Sequence, residues 1–232
     1  MKILAVSDVP SLSLETLVET APERYADIDC VVSCGDLDRE YLEFIVDGLK
    51  KPLFFILGNH QFETSQYRET NIGGKYGNYA GGSTDLHGRA EVFGDYLMVG
   101  FGGSIWYNGK PNQYTEQAMA RIVKQVERKI LLMRLQDKLR GRISKEVIVI
   151  SHAPPADVHD QPDMAHRGFQ CFHHFIKRIK PLMWMHGHIH LVDAFKNQVT
   201  LLEPATTVAN VFSCKMVNIA DHHIDVHSHC VI

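Results

Sequence analysis

The sequence lacks a Cys-x-x-Cys pair, and its five cysteines are an odd number. Both absences argue against a disulfide framework or a thiolate zinc site and point to a reducing compartment. Long apolar runs are missing too. None approaches the roughly 18 residues of a membrane span. The start, MKILAVSDVP, has four apolar residues after Lys2, fewer than a secretory signal needs. The end, Cys230-Val231-Ile232, is one residue short of a prenylation box. The expected location is cytoplasmic. Neither sign of charge dominates: 24 basic and 27 acidic side chains give a net −3, which offers no global attraction to nucleic acid or membrane. Internal repeats, low-complexity tracts and linkers are absent. What remains is one globular domain over residues 1–232, long enough to bury a substantial core. It is 45% apolar and carries an excess of histidine, 14 residues.

Short apolar runs recur, each closing on a polar or glycine-bearing turn. Lys2–Ser7 precedes Asp8, Val31–Cys34 precedes Gly35-Asp36, and Leu53–Leu57 precedes Gly58-Asn59-His60. Val147–Ile150 precedes Ser151-His152, and Leu182–Met185 precedes His186-Gly187-His188. Continuous apolar runs of this length read as strands buried on both faces. Helical spacing appears over Glu40–Leu49, Thr115–Leu139 and Gly168–Ile179. Strands alternating with helices predict an α/β sheet. After Val199 the β-rich runs follow one another without helices, which predicts an antiparallel portion. Residues 62–90, Gly-rich and polar, read as a long surface loop.

Asp8, Asp36, Asn59, His152, His188 and His190 fall at or just past the C-terminal ends of apolar runs. In open α/β sheets ligands bind at that edge. Nitrogen and oxygen donors without thiolate suit Mn²⁺, Fe or Zn²⁺. Six donors exceed the needs of one tetrahedral ion, so two divalent ions sharing a carboxylate is the simplest reading. Within Gly187-His188-Ile189-His190, alternate residues on an extended backbone share a side, so both imidazoles can reach one centre. Each motif alone is weak; their order at strand ends is specific.

The ordered set Asp8-Val9-Pro10, Gly35-Asp36, Gly58-Asn59-His60-Gln61, Ser151-His152-Ala153 and Gly187-His188-Ile189-His190 resembles the calcineurin-like metallophosphoesterases. The resemblance spans about residues 2 to 220. It implies a four-layer α-β-β-α sandwich of two mixed sheets. It also implies hydrolysis of a phosphoester P–O bond, with phosphodiesters favoured, by a metal-bridging hydroxide. Asp36 would bridge two ions, Asn59, His152 and His188 would hold the second, and Asp8 and His190 the first. His60 matches the catalytic histidine, suited to stabilise or protonate the leaving oxygen near neutral pH. Two positions depart from the family pattern. Pro10 stands where the family has a histidine ligand, so the first ion is expected to bind weakly or partially, or to recruit water or a carboxylate such as Asp38 or Glu15. Gln61 stands where the family has an acid.

The expected substrate is a small phosphoester or nucleotide-like molecule, with neither membrane nor nucleic acid as partner. Asp163 and His166, between two motifs, are candidate substrate contacts. Trp106 and Tyr107 read as a pocket wall or as core, and Cys34 as a buried structural thiol. Residues 121–145 carry nine Lys or Arg against Glu127 and Asp137, which reads as a solvated helix face. From His223 onward the alternation predicts an edge strand with a polar outer face. The competing reading is a metal-stabilised binding protein whose catalysis is lost through Pro10.

Overall fold

The computed structural model describes residues 1–60, 83–202 and 205–228. The first sheet is built from β1 Lys2–Ser7, β2 Cys30–Ser33, β3 Leu53–Phe55, β4 Ser83–Asp85, β13 Ser213–Ala220 and β14 His223–His227, in the order β14-β13-β1-β2-β3-β4. The second is built from β5 Arg89–Phe93, β6 Tyr96–Phe101, β9 Glu146–Ser151, β10 Met183–His186, β11 Gln198–Leu202 and β12 Thr206–Asn210, in the order β11-β12-β10-β9-β6-β5. β7 (Ser104–Ile105) and β8 (Gln113–Tyr114) form a separate small pair.

Three apolar clusters give the layering. Leu14, Leu17 and Val18 of α1 (Leu12–Thr20) and Leu42, Ile45 and Val46 of α2 (Arg39–Leu49) pack on Leu4 and Val31 of the first sheet. Ile3, Val32, Met98, Ile150 and Met185 meet between the sheets. Val123 and Ile130 of α3 (Glu116–Leu139) and Phe172 and Phe175 of α4 (Cys171–Ile179) cover Phe101 and Trp184 of the second sheet. The result is the expected four-layer α-β-β-α sandwich.

Several expectations are corrected. α1 was missed, although its signals are present: Ser11 caps it by accepting from Leu14 N–H, and Leu14, Leu17 and Val18 line one face. Part of the expected loop over 62–90 is strand, because buried Leu86 and Ala90 anchor the chain between β4 and β5; residues 61–82, including Gln61, lie outside the described residues. β3 stops at Phe55: Ile56 N–H makes the last bond to β2, at Ser33 O, and Leu57 O turns away to accept from Gly103 N–H near the other sheet. The tail divides between both sheets. β11, β13 and β14 pair antiparallel, but β12 lies parallel to β10. β14 is an edge strand, as expected. Cys214 is disulfide-bonded, whereas Cys30, Cys34 and Cys171 are free thiols. No helix among the described residues is long and apolar enough to cross a membrane.

Candidate metal centre

Parallel pairing aligns the C-terminal ends of the central strands. Val6 pairs with Ser33 and Ser33 with Phe55 in the first sheet; Phe101 pairs with Ser151 and Ser151 with His186 in the second. Asp8, Asp36 and Asn59 therefore leave one sheet beside His152 and His188 leaving the other. The backbone turns sharply there: Asp8, Asp36 and His188 have φ of 68°, 56° and 67°. Asp and His tolerate that left-handed region better than bulky residues. Gly35 (φ 99°) has no such freedom to change, because a Cβ on it would lie 2.6 Å from Gly58 N and 2.8 Å from His152 Nδ1.

The floor of the site is buried. His152 is fully buried, Asn59 and His188 nearly so. His152 Nδ1–H donates to Cys34 O at 2.8 Å, which aims Nε2 inward. There Nε2 meets Asp36 Oδ2 at 3.1 Å and Asn59 Oδ1 at 2.9 Å. Asn59 is oriented by its amide group, which donates to Tyr107 OH at 3.1 Å. Asp36 Oδ1 accepts from His60 N–H at 2.8 Å. Both oxygens of Asp8 accept from His188 N–H, at 2.9 and 3.0 Å. His188 Nε2–H donates to Ala165 O at 2.8 Å, a bond that assigns its proton and leaves Nδ1 as the acceptor nitrogen. His190 reaches Asp8 Oδ1 at 3.7 Å from the solvent side. His60 and His190 are exposed at the mouth.

Among the described residues, ligand atoms of Asp8, Asp36 and His152 all lie within 4.8 Å of one another. Three acceptor atoms, His152 Nε2, Asp36 Oδ2 and Asn59 Oδ1, face each other when His152 is neutral. Such a set calls for a cation between them, either a proton or a metal ion, and its oxygen and imidazole donors suit a divalent ion. The residues present therefore fit the second ion. Without metal, the cation is a proton. Burial alone would raise the Asp36 carboxyl, but the facing His152 outweighs it and holds the group down to about 2. Burial alone would lower His152, but Asp36 raises it to about 9. Burial and the His152 charge push His188 down to about 3. Burial raises the Asp8 carboxyl.

The first ion's residues are sparser. Pro10 contributes no ligand. It lines a cavity of about 430 Å³ with Glu15, Glu19, Asp38 and Tyr41, but Glu15 and Asp38 are outside the ligand cluster among the described residues.

The structure brings Asp163 and His166 to the site as a pair. His166 Nδ1 lies 2.9 Å from both Asp163 oxygens, and its ring centroid is 5.3 Å from that of His188. Trp106 is exposed rather than core, and Tyr107 serves Asn59. Sequence reasoning missed a part-buried histidine chain behind the site. His186 Nδ1–H donates to Gly187 O at 2.9 Å; His186 Nε2 and His159 Nδ1 lie 2.8 Å apart; His159 Nε2 meets Thr200 Oγ1 at 2.9 Å. Burial lowers His159 to about 4 and His186 to about 3, so both are neutral near neutral pH. His159 then donates to His186 and accepts from Thr200. The run of His186 before Gly187-His188 was visible in the sequence, but nothing there linked it to His159.

A two-sheet sandwich with carboxylates, an amide and imidazoles converging at the strand ends defines a metal-dependent hydrolase architecture. The model of the calcineurin-like phosphoesterase family matches residues 1–192; the chain belongs to that family, whose members hydrolyse phosphoric esters with metal ions. Two solved structures share the fold. TT1561 of Thermus thermophilus aligns with a TM-score of 0.64 at 16% identity, covering 98% of both chains. A dimetal phosphatase from Danio rerio aligns with a TM-score of 0.57 at 10% identity, covering 95% of this chain and 93% of the other. No curated protein sequence matches the chain.

Proposed function

We propose that the chain is a phosphodiesterase acting on a small, nucleotide-like phosphodiester, as a single domain with two divalent ions (Mn²⁺, Fe or Zn²⁺). The observation that carries this reading is the buried convergence of His152 Nε2, Asp36 Oδ2 and Asn59 Oδ1 within 3.1 Å. Divalent ions bound there supply Lewis acidity: they make water more acidic and offset charge on phosphoryl oxygens. In this proposal Asp36 would serve both ions, Asn59, His152 and His188 would hold the second, and Asp8 and His190 the first. The first site fills weakly, because Pro10 gives it nothing.

The remaining roles belong to side chains at the mouth. His60 is exposed and tied through its own N–H to Asp36, which fixes its backbone beside the centre. In this role it hydrogen-bonds the phosphoryl group and hands a proton to the departing oxygen. Asp163 holds His166 Nδ1, leaving Nε2 as the atom offered to substrate. Buried Cys34 and Ser7 help keep water from the floor.

A second reading, a metal-stabilised binding protein, is favoured by Pro10 alone. His60→Ala separates the two. The phosphodiesterase reading predicts turnover lower by about 10²–10⁴-fold with bound metal unchanged by elemental analysis. Unchanged turnover in that variant removes His60 from the reaction.

A further inference from the structure

The C-terminal part of α3 keeps one face on the second sheet, through Leu131 and Met133, and turns the other to solvent. Its buried residues are Met119, Val123, Val126, Glu127 and Ile130, and none follows Ile130. Beyond that point Leu132 is 60% exposed, Leu135 52%, Leu139 78%, and Ile143 in the following turn 96%. Scattered exposed apolar residues are ordinary, but these four fall within a span of twelve residues, 132–143. Leu132, Leu135 and Leu139 follow a three-then-four spacing, so they share one outward face.

The same segment is strongly cationic. Residues 128–145 hold seven Lys or Arg against one acid, Asp137. That segment is +6 in a chain of net −3, so the remainder carries −9. The segment also lies away from the metal centre. It leads into Glu146, the first residue of β9, whose other end delivers His152, and Lys145 Nζ donates to Gly94 O in the β5–β6 turn. The molecule therefore has a basic tip studded with aliphatic side chains on an otherwise acidic chain.

We propose that this tip docks on an anionic phospholipid bilayer. Leu132, Leu135, Leu139 and Ile143 enter the interfacial layer, and the exposed Arg128, Lys138, Arg140 and Arg142 meet lipid phosphates. Apolar residues on one helix face with surrounding Lys and Arg are what such binding requires. Charge complementarity selects this occupant. A second copy packed on the same face would set Arg128 and Arg142 against like charges. A nucleic acid would satisfy the cations but leave the leucines facing water, with no aromatic ring among them to stack on bases. Docking there leaves the metal centre facing away from the lipid.

The test is co-sedimentation of the full chain with vesicles of phosphatidylcholine containing one third phosphatidylglycerol, against pure phosphatidylcholine. The proposal predicts preferential binding to the anionic vesicles, weakened by salt. Leu132→Gln/Leu139→Gln and, separately, Arg128→Gln/Arg142→Gln should each lower that binding about tenfold or more. Because these side chains are exposed and remote from the site, melting temperature and hydrolysis in solution should hold. Absence of anionic-vesicle binding by the unsubstituted chain overturns the proposal. So does a dimer in sedimentation velocity that the leucine variant dissolves while vesicle binding is unchanged, or duplex DNA binding that persists in the leucine variant without lipid binding.

Discussion

At the scale of single residues, His152 does two jobs according to what occupies the site. Without metal it is the cation: Asp36 raises it from 6.5 to about 9. A group raised on folding stabilises fully below its unfolded value and loses that contribution as pH climbs through the folded one. The chelator-treated protein should therefore hold a constant melting temperature just below pH 6.5 and lose stability toward pH 9. With Mn²⁺ bound, the ion replaces the proton, since a metal ligand must be deprotonated. The alkaline decline should then be much smaller. Thermal melts against pH, with chelator and with Mn²⁺, check this; identical alkaline limbs would mean that the ion does not sit on His152.

At the scale of elements, the loop between β9 and α4 is built as part of the site. Its Ala165 carbonyl fixes His188, its Asp163–His166 pair stands beside that ring, and His159 ties it to His186 and Thr200. Replacing His159 by Ala removes both ties and loosens the carbonyl that orients His188. Metal affinity should fall about 10–100-fold, read by titration calorimetry, while the circular dichroism spectrum is unchanged. Unaltered affinity would show that the loop holds its position without His159. This element also shows where sequence reading runs out. The ends of β1, β2, β9 and β10 were legible because an apolar run stopping at Asp, Gly-Asp or His is a local pattern. α1 was equally legible from Ser11 and its 3-4 spacing, yet lay between more conspicuous runs. The His186–His159–Thr200 chain joins three separate segments, and no periodicity encodes such a meeting. Tyr107 was ambiguous for the same reason: its hydroxyl has a role only once Asn59 is folded against it.

At the scale of the whole molecule, the family match ends at residue 192, but the two sheets do not. β13 flanks β1 and β12 flanks β10, so strands from the last forty residues hold both site-bearing strands in place. The charge distribution is likewise a whole-molecule property: a near-neutral total conceals a basic tip and an acidic remainder. The central claim is that this framework exists to hold divalent ions for phosphoester hydrolysis despite Pro10. Its most direct test is hydrolysis of bis(p-nitrophenyl) phosphate by protein stripped with chelator and then titrated with Mn²⁺. The account predicts no turnover after stripping and turnover that returns and saturates with added Mn²⁺. No recovery with Mn²⁺, Fe²⁺ or Zn²⁺, from protein that still melts cooperatively, would contradict it.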